Sequence, residues 1–338
     1  MPRRPLLRHR FGVACAAALF AAASSAAFAA DVSLKDDVVY DEQFQPQIDL
    51  GLSIGQMHGV AHEFVFDPAN GRKVSELIWN MEGISLLRGT VGGQVSPWWR
   101  FDVMGATSIA VGEGEMDDYD WLDPNNSDWT DWSHHTTNDV EHAHQLDASS
   151  SLSLFRHPNF SFDLKGGVRW DQTVFQAWGG HYIYSTDPTD PAGFRDDEGN
   201  FDSTKPGITY KQNFFTPYLG LGLNVYLGPV QVNASASGSW WVSANSEDQH
   251  HFRYLMFRDE SNEGTMKNFN VNASYAISEN LSVTGGYEFL SYYAPSASTS
   301  MSAVDGSAEA LIARFPDGSA GMDSESHSFS VGLKYKLD

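Results

Sequence analysis

The chain has 338 residues, 43 acidic against 21 basic, a formal charge of −22 and a single cysteine. So acidic a surface argues against nucleic acid or anionic lipid headgroups as partners and favours basic ones. One cysteine leaves no disulfide framework to build a fold around.

In chain order, Arg3, Arg4, Arg8 and Arg10 precede an apolar run from Phe11 to Phe20 and a small-residue end, Ala27-Phe28-Ala29. This pattern reads as a secretory signal peptide over residues 1–29, leaving 30–338 as the mature domain. Cys15 falls in that segment, and so do the four arginines. With 17 basic residues then facing 43 acids, the charge becomes −26.

Beyond residue 30 no apolar stretch approaches the roughly 20 residues of a membrane helix. The chain alternates instead. Phe215, Pro217, Leu219, Leu221, Leu223, Val225 and Leu227 take every second position, with Thr216, Tyr218, Gly220, Gly222, Asn224 and Tyr226 between them. The same rhythm runs through Val230 to Val242, Phe269 to Ile277 and Phe329 to Leu337. A period of two means strands with one apolar face. The other face is small and polar, as in Asn270, Asn272 and Ser274, which suits the interior of a transmembrane barrel whose apolar face meets lipid. Closure follows, because an unpaired sheet edge is too costly in hydrocarbon. The reading is an all-β, antiparallel transmembrane barrel of about ten strands. Short turns are expected near Ser96-Pro97, 156–159, 227–229 and 278–280, and long outer connections around 112–141, 187–209, 246–267 and 295–322.

Two outer segments carry candidate chemistry. Met116 to His135 holds six aspartates, among them Asp118 and Asp120, one residue apart and so on one side of a strand. Asp248 and His250 repeat that spacing.

Met-Asp-Asp-Tyr-Asp-Trp-Leu-Asp from Met116, Trp129-Thr130-Asp131-Trp132-Ser133-His134-His135 and Asp248-Gln249-His250 resemble the signatures of the omptin family, outer-membrane endopeptidases of Gram-negative bacteria. The resemblance extends over nearly the whole chain after about residue 47. It implies a site on the cell exterior where water is activated between Asp118/Asp120 and Asp248/His250. It also implies a pocket for the residue before the cut, whose first acid matches Glu63 and whose second falls on Ser246, with Glu247 adjacent. Asp131 matches the acid near the residue after the cut. The implied substrates are basic polypeptides, preferably cut between two basic residues. Lipopolysaccharide is the implied lipid requirement, yet the positions aligned with its arginines are Gln172 and Asn213. No further cofactor and a monomeric state are expected.

The residues themselves leave rivals. The mature chain has no cysteine, so a thiol nucleophile is not expected. His134, His135, His142, His144, His250 and His251 crowd the outer loops, but no His-Glu-x-x-His pattern turns them into a metal site. A non-enzymatic barrel acting as an adhesin or binding surface is the alternative from another class, since fold alone does not fix function.

Overall fold

The computed structural model describes residues 44–337, all of whose regular elements are strands. The signal-peptide segment and its cleavage site lie outside these residues. Nine long strands, β1 (Gln47–Phe66), β2 (Lys73–Ser96), β6 (Thr137–His157), β7 (Phe160–Trp178), β10 (Pro206–Leu227), β11 (Val230–His250), β12 (Leu255–Ala276), β13 (Leu281–Asp305) and β14 (Ala308–Leu337), join the shorter β3 (Trp99–Ser108). They are hydrogen-bonded in the order β1-β14-β13-β12-β11-β10-β7-β6-β3-β2, and β1 also pairs with β2, so the ten close into a ring. Every pairing is antiparallel, which connects neighbours by hairpins.

The period-two pattern sorts as expected. Ile48, Leu50, Leu52 and Ile54 on β1, Leu219 and Leu221 on β10, and Phe329, Val331 and Leu333 on β14 are exposed on the outside. Aromatic residues edge this band, with Trp98, Trp99 and Tyr335 towards the short-turn end and Trp240, Trp241 and Tyr293 towards the other. Such girdles mark the two lipid–water interfaces.

The interior is polar and cross-linked. Arg169 on β7 reaches Asp171 beside it and Glu288 across the lumen on β13, at 2.8 and 2.5 Å. Arg88 on β2 donates to the same Glu288 at 2.9 Å. Tyr292 donates to Asp171, and Asn268 to Glu288. A ten-strand barrel is narrow. These buried side chains bridge the lumen at this level.

The four short turns fall where the sequence places them, between β2 and β3, β6 and β7, β10 and β11, and β12 and β13. The outer connections are more regular than expected. The stretches around 246–267 and 295–322 are hairpin extensions of the barrel wall, turning only at 251–254 and 306–307. A further arc, β4 (Met116–Asp120), β5 (Asp131–His135), β8 (His181–Tyr184) and β9 (Asp197–Asn200), continues from β2. Its order repeats that of β3, β6, β7 and β10 below, so it is the same wall resumed above irregular breaks. A strand of 22 residues such as β10 extends about 70 Å along its axis, whereas about 9–11 residues cross the bilayer. Roughly half of each long strand therefore stands clear of the membrane.

Candidate active site

At this outer mouth, strand alternation decides which of the crowded acids face inward. On β4, Met116 and Asp118 are buried on the inner face, whereas Asp117 turns outward and accepts from Trp132 Nε1 and His134 Nδ1. Asp120 follows two residues after Asp118 on the inner side. Ser75, on the facing part of β2, donates from Oγ to Asp118 at 3.3 Å and also interacts with Asp120.

The remaining aspartates of this segment build its loop. Asp123 accepts from the Asn125 backbone, and Asp128 lies on the exposed turn. Thr130 closes the loop, donating to the Asp120 carbonyl and accepting from the Leu122 amide. Asp131 faces Asp120 across the β4–β5 pair and is buried, with Oδ1 accepting from the Ser185 amide and Oδ2 unpartnered. Arg195 stacks 3.4 Å from the Trp129 ring and Lys73 4.3 Å from Trp121, so these tryptophans pack the rim.

Across the mouth, β11 presents Ser246, Asp248 and His250 inward, all buried. His250 Nε2 and Asp248 Oδ2 are 2.6 Å apart, and the Phe257 ring meets the imidazole edge-on. Asp248 Oδ1 is buried without a partner. The two pairs sense each other's charge, Asp118 acting on His250 and His250 on both aspartates. Arg253, in the exposed β11–β12 turn, acts on all three.

Burial, and then the neighbouring Asp120, push the Asp118 carboxyl up to about 8. Asp120 is also raised, chiefly by burial. Near neutrality the pair therefore keeps a proton, shared as one coupled system. Burial alone would lower His250, but Asp248 outweighs it and holds the imidazole above its ordinary value.

The raised carboxyl carries a stability cost. An unfolded Asp118 ionises near 3.8, whereas the folded one resists until about 8, so stability is lost progressively as pH rises through that window. Asp118→Asn should consequently raise the unfolding temperature at pH 8 and leave it nearly unchanged at pH 4. An equal shift at both pH values would remove ionisation as the cause.

Of the other sequence candidates, Glu63 on β1 faces inward, is 3 % exposed and has Oε2 unpartnered. Glu247, expected to serve the pocket, does not face it. It lies between Ser246 and Asp248 and so turns to the opposite face, where it pairs with Lys211 at 3.1 Å. Gln172 and Asn213 lie side by side on β7 and β10, Gln172 donating to Asn213 at 2.6 Å and Asn213 to Asn245 at 3.0 Å. The histidines scatter: His134 pairs with Asp117, His135 stacks on Phe201 and is driven down to about 4, mainly by burial, and His142 stacks on His144. Asp259, which no motif marks, is buried directly opposite Ser246.

The outer mouth of a lipid-belted barrel thus holds a carboxylate pair opposite a carboxylate–imidazole pair. The Omptin family model matches residues 44–337, and the chain belongs to that family. It is 29 % identical over 285 residues to the plasminogen activator of Yersinia pestis, covering 84 % of this chain and 88 % of that protein. With protease 7 of Escherichia coli K12 it shares 30 % over 240 residues, 70 % of this chain and 74 % of the relative. The crystal structure of the outer membrane protease OmpT from Escherichia coli superposes with a TM-score of 0.79 at 26 % identity, covering 88 % of this chain and 99 % of that one. The protein is thus a protease of the Gram-negative outer membrane, and the adhesin alternative gives way to it.

Proposed function

We propose that this protease hydrolyses peptide bonds next to basic residues with a water held between Asp118/Asp120 and Asp248/His250, an aspartic-type mechanism without a covalent intermediate. The buried 2.6 Å contact between His250 and Asp248 supports it most directly. A carboxylate partner at Nε2 requires N–H there, which leaves Nδ1 as the base. His250 Nδ1 takes a proton as the water oxygen bonds to the scissile carbonyl carbon. The same proton passes to the amine as the C–N bond breaks. Asp248 orients the imidazole and stabilises its charged form. Asp118 and Asp120 hold the water or the carbonyl oxygen, and their retained proton suits the oxyanion that develops.

Glu63 receives the basic side chain before the cut, and Asp131 faces the residue after it. Both are buried carboxylates with an unpartnered oxygen, groups that a guanidinium would satisfy. The acidic surface draws such substrates. The barrel acts as a monomer.

Protonation of His250 removes the base, and its raised value moves that loss to a higher pH than for an ordinary histidine. We therefore expect kcat/KM to fall tenfold per pH unit on the acid side, starting above the 6.5 of an ordinary histidine. A rate unchanged down to pH 5 would rule out His250 as the base.

Gln172 and Asn213 bear on the lipid requirement. Neutral amides bonded to one another offer a lipid phosphate no cation. The refolded barrel should keep activity within about threefold when lipopolysaccharide is omitted from the micelles. An absolute requirement would show that another outer surface binds the phosphates.

A further inference from the structure

A carboxylate that no motif marks stands beside the position where the specificity pocket lacks one. Ser246 and Asp259 are directly opposite on β11 and β12, both facing inward, with Asp259 only 2 % exposed. Ser246 Oγ donates to Asp259 Oδ2 at 2.9 Å, and Thr299 Oγ1 on β13 donates to Oδ1 at 2.7 Å. Two hydroxyls on adjacent strands thus fix the carboxylate without neutralising it. Glu63 stands on β1, three strands round the ring, with small buried residues, Ala297 and Ala320, on the two strands between.

Glu63 and Asp259 interact electrostatically, and among the described residues neither forms an ion pair. Arg258, the nearest cation in sequence, is on the outer face and paired with Glu309. Two buried acids without a cation are costly unless a ligand supplies one. Glu63 Oε2, buried without a partner, is the sign that the ligand is cationic.

We propose that Asp259 is the second acid of the pocket for the basic side chain before the cut, its carboxylate moved one strand over from position 246, where serine now serves as its hydrogen-bonding support. This assignment rests on the proposed cleavage beside basic residues. Glu63 and Asp259 approach the guanidinium from two sides, and its planar, multiply donating fork can bond both at once. Burial chiefly holds both carboxyls above their ordinary range, Asp259 at about 6 and Glu63 well above its usual value. An entering cation restores their ionised forms.

The relocation makes a swap the decisive test. Two quenched peptides, identical except for arginine or glutamine before the cut, are compared with wild-type barrel, Asp259→Ser, and the double variant Ser246→Asp/Asp259→Ser. Each protein is first shown to fold by its heat-modifiable mobility. Asp259→Ser should lower kcat/KM for the arginine peptide about 100-fold, the scale on which unpaired buried charge is rejected. The glutamine peptide should change less than threefold. The double variant should return arginine cleavage to within tenfold of wild type. An arginine-to-glutamine ratio unchanged by Asp259→Ser, or equal losses on both peptides, would overturn the assignment while leaving basic-residue cleavage intact. A wild-type barrel that cuts elsewhere but not beside arginine would overturn the underlying reading as well.

Discussion

His250→Ala is expected to lower kcat/KM at an Arg-Arg bond by about three orders of magnitude, because it removes the base that takes the water proton. Asp248→Ala is expected to cost nearly as much, since it frees the imidazole that the 2.6 Å contact now orients. The two losses should not add. Residues that act as one unit fail together, so the double variant should be no worse than His250→Ala alone. Stopped assays on barrels of equal folded fraction measure this. A double variant slower than His250→Ala by the full cost of the Asp248 change would show that Asp248 acts independently of the imidazole.

The second large effect lies in the lumen. Glu288→Ala should destabilise the barrel by about 3–5 kcal/mol, the cost of leaving buried charge uncompensated. Glu288 is 4 % exposed and is shared by Arg88 and Arg169, so its removal strands two guanidinium groups at once. Glu309→Ala provides the contrast. It also breaks an arginine–carboxylate pair, but one with both side chains more than one-third exposed. Water screens that pair, and its loss should leave the unfolding midpoint nearly unchanged. Equilibrium unfolding in urea separates the cases. Comparable losses for the two variants would mean that the lumen is hydrated enough to screen its charges.

This lumen network and the site above it differ in how legible they are from sequence. Alternation along β10 and β14 exposes the lipid face because lipid imposes one requirement on every second residue, whatever the neighbouring strand carries. Asp118, Asp120, Asp248 and His250 are legible for a related reason: each pair is local, and spacing of two places both members on one face. Asp259 is not. Its partner Ser246 is thirteen residues away, and only the position of the turn at 251–254 sets them opposite. Taking residues 246–267 as a long connection hides that register. Once β11 and β12 continue to the turn, the pairing of His250 with Leu255 carries through Asp248 and Phe257 to Ser246 and Asp259.

Glu247 shows the converse. Adjacency in sequence made it a substitute for the absent acid, but adjacent residues in a strand point to opposite faces, and its carboxylate meets Lys211 outside. The Arg88–Glu288–Arg169 cluster is equally illegible in the sequence. Its members come from β2, β13 and β7, brought together only when the ring closes.

Water activation between the two pairs is tested by cleavage of a quenched peptide holding a single Arg-Arg bond, with the products identified by mass. Wild-type barrel is run beside Asp120→Asn and His250→Ala, one from each side of the mouth. Wild type should make a single cut at the basic pair, abolished by both variants while both remain folded. Cleavage at that bond that survives either substitution would contradict a water activated between the two pairs.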